Sequence, residues 1–396
     1  MARGVSEEFA SLILIPSLTL RATSVATRAR FQKEPALNAL SNLDRIRLKM
    51  AADEVAAMMI TNMPSIRWAT GFSGSFGVLI VTAESGVLVT DSRYRIQAEE
   101  QCVCLPNAVF ANPTEVVDFL KEQLQRLGLQ ALAFDHNQVT VATLDKWTKK
   151  FEGVALKPVD DPVDALRMIK TSEEVAKIRA ACALTDSFLE RLLAMARPGV
   201  TERALLWALE DMLRESGASA AFAPIILSGP RTARPHGDPS DRALQDGDFI
   251  TFDIGARLDG YCSDITRTVV LGKASDRQRE VYEQLLKAQV ACIDTIKPGM
   301  DGKDVDALAR KVLDEKDLGK YFGHGLGHGL GALVHDTGRL SPIIEQKIEV
   351  GQVWTIEPGV YIEDFGGARI EDDIVMTQTG CEVLTKFPKH LIELPC

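Results

Sequence analysis

The sequence predicts an α/β (α+β) fold in two domains, from three observations. The chain is too long for one ordinary core, helical stripes alternate with short apolar strands, and unusual polar residues gather on strands in the second half. At 396 residues, two domains are the default reading. The composition, 46% hydrophobic and 25% charged, is that of a globular protein. The formal charge of −10 argues against nucleic acid or an anionic membrane as partner, since phosphate binding needs clustered Lys and Arg. Seven scattered cysteines form no CxxC pair and read as reduced thiols of a cytoplasmic protein. No apolar run reaches the 18 residues of a membrane span.

Residues 1–42 read as an extension with no assigned role. Its stretch FASLILIPSLTL is apolar over the length of a signal core, but Glu7 and Glu8 stand where basic residues should be. From Leu43 the pattern is regular. Residues 43–60 read as a helix leading into a strand, ended by Asn62-Met63-Pro64. FGVLIVT and GVLVTD, separated by AES, read as an antiparallel hairpin. ALAFDHN reads as a strand following the helical EVVDFLKEQLQRLG. The first domain is placed at 43–165, with a connector near Pro162 and its acidic neighbours. The second, 166–396, opens on Thr171-x-x-Glu174, a capping-box signature, and on a stripe of Val175, Ile178, Cys182 and Leu189.

The chemistry is expected on strands. In FITFDIGARLDGYCSDITRTVVLG, residues 249–272, Asp259-Gly260 is a strong two-residue turn signal. That turn pairs Leu258 with Tyr261 and Asp253 with Thr266, and puts Asp264 diagonally beside Asp253 on the same face. One such aspartate reads as a solvated hairpin carboxylate; two on an apolar-flanked face read equally well as ligands of a cation. Glu357 stands in an apolar strand ended by Pro358, and Arg369, Glu371 and Asp373 alternate along the next strand. Alone, those three read as a surface ladder. In YFGHGLGHGLGALVHD, residues 321–336, three of the six histidines share a glycine-rich backbone hostile to helix. Extended, it would put His324, Leu326, His328 and Leu330 on one face and leave the other bare for close approach. The candidate set Asp253, Asp264, His328, Glu357 and Glu371 is too oxygen-rich for structural zinc. It suits hard or borderline divalent ions such as Mn²⁺, and its four carboxylates suggest two ions, the equipment of metal-assisted hydrolysis.

In order along the chain, PHGDPSDR, FDIG, SDITRT, HGLGHGLG with VHD, IEPGVYI and RIEDD resemble the motifs of the pita-bread metallopeptidases. That family includes aminopeptidase P, prolidase, methionine aminopeptidase and the metal-free creatinase. TGFSGSFG and TDSRYRIQAEEQ resemble the creatinase-type N-terminal domain. The resemblance implies that Asp253 binds one ion, that Asp264 and Glu371 bridge both, and that His328 and Glu357 hold the second. The ions would be Mn²⁺, with Co²⁺ or Zn²⁺ as alternatives. It also implies that Glu357 relays the proton of the attacking water, and that His236 and His335 meet the substrate and its developing oxyanion. His324 would line the proline side, and Arg369 would orient ligand carboxylates. Arg339 stands where some prolidase-like relatives bind the substrate carboxylate, and reads equally well as an exposed arginine. Phe222 is the nearest aromatic where several carry a tyrosine. The implied activity is an Xaa-Pro aminopeptidase acting on short peptides with proline second, as a homodimer. The alternatives are a dipeptidase restricted to Xaa-Pro, a creatinase-like hydrolase and a non-catalytic peptide-binding module.

Overall fold

Ser41 caps the helix Asn42–Ala52 by accepting from Asp44 N, and the strand Ala57–Ile60 follows, as the pattern of 43–60 predicts. The computed structural model describes residues 40–160 and 162–396, so FASLILIPSLTL lies outside the described residues. Asn62-Met63-Pro64 follows the end of that strand, as expected, and also starts the next element. The Asn62 side chain accepts from Ser65 N, and Pro64 occupies the first turn of the helix Met63–Thr70, where a missing N–H leaves no bond unmade.

The strands Val78–Thr82 and Gly86–Asp91 form the expected hairpin, with Val78 opposite Val89. They join a six-stranded sheet in the order Asn107–Phe110, Gly86–Asp91, Val78–Thr82, Ala57–Ile60, Ala131–Asp135, Ala155–Val159. Leu79 and Val81 enter one hydrophobic cluster with Ile46 and Phe72, whereas Val78 and Ile80 enter another with Leu132 and Trp147. That alternation is the period of two of a strand buried on both faces. The connector near Pro162 is itself a short helix, Pro162–Met168.

Beyond it, Thr171 and Glu174 make the predicted capping box on the helix Ser172–Met195, which buries Ile178, Cys182 and Leu189. Such a cap contributes about 1 kcal/mol. Two sheets follow. One orders Glu393–Leu394, Ile265–Leu271, Phe249–Ile254, Ile225–Ser228; the other orders Asp336–Leu340, Gly327–Gly329, Val353–Ile356, Asp372–Met376, Cys381–Val383. Leu189, Leu205 and Leu209 cover the first by packing on Ile226, Phe252 and Val269. Val281, Leu285, Val305 and Ala309 cover the second by packing on Trp354, Ile356 and Ile374. The segment leading into Asp372–Met376 is stitched to the first sheet: Thr266 Oγ1 donates to Glu371 at 2.6 Å, and Arg369 N donates to Thr268 Oγ1 at 3.1 Å. Apolar faces therefore turn to helices, and polar side chains from both sheets meet between them.

The hairpin register is the one its turn predicts. Leu258 pairs with Tyr261 and Asp253 with Thr266, around Asp259 (φ 50°) and Gly260 (φ 87°). The glycine–histidine segment differs from full extension. Before Asp336 it is strand at Gly327–Gly329 alone, and Leu326 and Leu330 leave the histidines to enter separate hydrophobic clusters. Close approach does occur, but between strands: a Cβ on Gly327 or Gly329 would lie 2.0 Å from Thr355 O or Thr337 O. The chain also turns at 363–365, since Ile362 pairs with Gly366 and Gly359 with Arg369. Gly327→Ala should cost roughly 1–3 kcal/mol through overpacking, read as a lower apparent unfolding midpoint. An unchanged midpoint would contradict this close approach.

Candidate active site

All ten residues singled out from the sequence line one cavity of 590 Å³: His236, Asp253, Asp264, His324, His328, His335, Arg339, Glu357, Arg369 and Glu371. The hairpin supplies Asp253 from the strand Phe249–Ile254 and Asp264 from just before Ile265–Leu271. His328 is the middle residue of Gly327–Gly329. Its Nδ1 lies 3.1 Å from Gly329 O, which makes Nδ1–H the donor and leaves Nε2 open. That Nε2 faces Glu357 at 3.3 Å and Asp264 at 3.7 Å. Glu357 follows the strand Val353–Ile356, held by its own N–H on Leu326 O at 2.8 Å. Glu371 N donates to Thr266 O at 3.1 Å, which carries that carboxylate across to the hairpin.

The surface-ladder reading of Arg369, Glu371 and Asp373 is overturned, because they are 3%, 1% and 0% exposed. They do not share one strand either. Gly366–Arg369 ends before Asp372–Met376 begins, and the two lie in different sheets. Asp373 points beneath the cavity, accepting from Asp264 N at 2.9 Å and from the Cys182 thiol at 3.2 Å.

Burial sets the electrostatics. It pushes the carboxyls of Asp264 and Glu371 well above the ordinary range, helped at both by Asp253 and Glu357 and at Asp264 also by Glu371. Burial likewise moves Glu357 up to about 7, against the pull of Arg369. It moves His328 down to about 3 and His324 down to about 4, so both imidazoles are neutral. Burial works against the Arg369 charge too, but Tyr361, Asp253, Glu357 and Glu371 more than offset it. Its Nη2 pairs with Asp253 and its Nε donates to Thr266 Oγ1 at 3.1 Å.

A divalent ion fits this donor set. Asp264 Oδ1 and Glu371 Oε1 are buried with no hydrogen-bond partner, a costly state for carboxylate oxygens. Ligand atoms of Asp264, His328 and Glu371 lie within 4.8 Å of one another. Asp253 and Glu357 stand on either flank, one on Arg369 and the other beside His328 Nε2.

Three residues of this site escaped sequence reasoning. Thr355 Oγ1 accepts from His328 N at 3.0 Å and donates to Glu357 at 3.2 Å. Tyr361 Oη accepts from Arg369 Nη1 at 2.6 Å and lies 3.0 Å from His324 Nε2. Thr266, on Glu371 and Arg369, was visible only as the cross-strand partner of Asp253. Thr355 carried no signal and Tyr361 only its place in IEPGVYI, since each looks like ordinary strand filling. Phe222 does line the cavity, while the phenol bonded to Arg369 comes from Tyr361.

The fold and this cavity define a metal-dependent hydrolase, and comparison with known proteins agrees. The chain belongs to metallopeptidase family M24, whose model matches residues 176–378, and residues 42–169 match the creatinase/prolidase N-terminal domain. It is 35% identical to the Xaa-Pro dipeptidase of Pyrococcus horikoshii, over 87% of this chain and 96% of that protein. Among solved structures it is similar to an Xaa-Pro dipeptidase from Bacillus anthracis, at 37% identity and a TM-score of 0.85 over 89% of this chain and 99% of the other. It is also similar to an X-Pro aminopeptidase from Thermotoga maritima, at 33% and 0.80 over 87% and 99%.

The carboxyl shifts predict a pH dependence. Folded Asp264, Glu371 and Glu357 hold protons above their unfolded values, so the metal-free protein loses stability as pH rises through the folded values, about 7 for Glu357. Divalent ions replace those protons. The rise in unfolding midpoint from EDTA to Mn²⁺ should therefore be small near pH 5 and large near pH 8. Equal rises at both would remove this cluster as the ion site.

Proposed function

We propose that the protein hydrolyses the peptide bond between an N-terminal residue and a following proline. Asp253, Asp264, His328, Glu357 and Glu371 would hold two divalent ions, with Mn²⁺ the best match to so oxygen-rich a set. The observation that carries the hydrolytic reading is the buried carboxylate cluster with its unpartnered Asp264 and Glu371 oxygens. Proline specificity rests on the Xaa-Pro peptidases to which the chain is similar. When bound, the ions would polarise the scissile carbonyl and lower the pKa of water.

The chain's own residues do the rest. Glu357, a carboxyl moved towards neutrality, is suited to take a proton from water and return it to the leaving proline nitrogen. His236 and His335 reach the cavity from its solvent side and donate to the carbonyl oxygen as charge develops. His324 has both ring nitrogens engaged, Nδ1 with Gly325 O at 2.8 Å and Nε2 with Tyr361. It therefore offers the proline a ring face and no hydrogen bond. Arg369 pairs with Asp253 and holds that carboxylate in place.

Arg339 decides between dipeptides and longer peptides. Half-buried in the cavity wall, it is held by Nη1 on Asp336 O at 2.9 Å and Gly338 O at 2.7 Å. A dipeptide's carboxylate beside it gains a charge-assisted bond that an extended peptide lacks, which favours an Xaa-Pro dipeptidase. The Xaa-Pro aminopeptidase reading draws on Ile343 and Ile344, which also line the cavity and are 83% and 43% exposed, offering apolar surface to residues beyond the proline. The proposal extends to a cytoplasmic homodimer, with residues 43–165 and 166–396 as its two domains.

Hydrolysis of Ala-Pro against Ala-Pro-Ala with added Mn²⁺ tests this. Cleavage of the dipeptide alone is expected, with Arg339→Ala raising its KM by about tenfold or more. Tripeptide cleavage unaffected by Arg339→Ala would establish the aminopeptidase. Cleavage of neither peptide by protein carrying two ions would end the proline reading. His328→Ala should lose one bound ion and nearly all turnover, and Glu357→Gln should lower kcat by about a hundredfold or more. Near-normal turnover of either variant with both ions bound would refute the site assignment.

A further inference from the structure

The loop that brings His335 to the cavity joins the strands Gly327–Gly329 and Asp336–Leu340. Its near end is tied by backbone bonds: Leu330 N donates to Val353 O at 3.1 Å, and Cys262 N to Gly331 O at 2.8 Å. Its far end rests on the Asp336 carboxylate, one residue beyond His335 and 5% exposed. Asp336 Oδ1 accepts from Thr337 N at 2.9 Å and from Arg167 Nη2. Its Oδ2 lies against Gly331, where a Cβ would come within 2.5 Å of that oxygen. The side chain thus spans the loop from one end to the other.

Arg167, in the helix Pro162–Met168, is 3% exposed. Its Nη1 donates to Asp164 and, at 2.9 Å, to Ser65 Oγ in the helix Met63–Thr70. One guanidinium therefore joins the N-terminal α/β part to the base of the His335 loop. As a source of stability such a buried pair is poor, because desolvation offsets most of the attraction and apolar packing would hold the junction as well. What it supplies is direction: a planar donor fixed on one carboxylate.

We propose that Arg167 and Asp336 are positioning residues for His335. Through them the N-terminal part holds the imidazole edge-on to His328, with ring centroids 4.4 Å apart at 89°. Neither residue touches the reacting atoms. The proposal rests on the reading that His335 meets the substrate.

A double-mutant cycle on the metal-loaded full chain tests it. Asp336→Asn keeps the volume and an acceptor for Thr337 N but loses the charge; Arg167→Lys keeps the charge but loses the fork. Each alone should lower kcat about tenfold with KM changed less than about twofold, and elemental analysis should find the parent's metal content. In a His335→Ala background the same changes should alter kcat less than about twofold, because no imidazole remains to be positioned. Equal losses in both backgrounds overturn the positioning role, as does loss of metal in the single variants. If circular dichroism shows Asp336→Asn unfolded, Arg167→Lys carries the cycle. Full kcat in His335→Ala itself removes the substrate role of that residue and the positioning proposal with it, an outcome distinct from an additive cycle.

Discussion

The arrangement depends on keeping four carboxylates beside two neutral imidazoles in a cavity where burial opposes every charge. Arg369 is the internal counterweight. It pairs with Asp253, donates to Thr266 and Tyr361, and stays charged because the anions around it outweigh its own desolvation. One guanidinium cannot balance four carboxylates. The unmatched oxygens of Asp264 and Glu371 are what a divalent ion would satisfy, and this is why the polar cluster reads as a metal centre and not as a structural ion network.

Holding such a cluster requires stiff strands at close range, and the local chemistry follows. His328 sits between two glycines because the flanking strands leave no room for a Cβ on either side. Thr355 then serves both His328 N and Glu357, so the main chain of one strand and the side chain of the next share a hydroxyl. Helices on the outer faces complete the core with leucines, valines and isoleucines. The site gains its rigidity from packing some distance away from the polar atoms.

The N-terminal α/β part is joined to this scaffold by a second buried polar cluster. Glu174 accepts from Trp68 Nε1 and Tyr261 Oη at 2.9 Å each while it caps its own helix, and Arg167 reaches Asp336. Both acidic residues belong to the catalytic part, and Trp68 and Arg167 lie within or next to the N-terminal part. Polar groups buried at this junction are directional, so they fix orientation in a way that apolar contact alone does not.

Some of this was decided by short-range chemistry and could be read from the residues. The Asp259-Gly260 turn, with both residues at positive φ, determines the pairing of Asp253 with Thr266, because a two-residue turn leaves no freedom in register. Thr171 and Glu174 likewise determine a helix start, since the cap is made within four residues. The order of the motifs identified the family, and with it ten of the polar residues that line the cavity, though not Asp238 or Ser341. Tertiary structure decided what depends on distant segments meeting. Arg369 and Glu371 look like a surface ladder until a second sheet covers them. Tyr361 and Thr355 are strand filling until Arg369 and His328 arrive from elsewhere in the chain. Arg167 and Asp336 are 169 residues apart, and only the packing of one helix on one strand makes them partners.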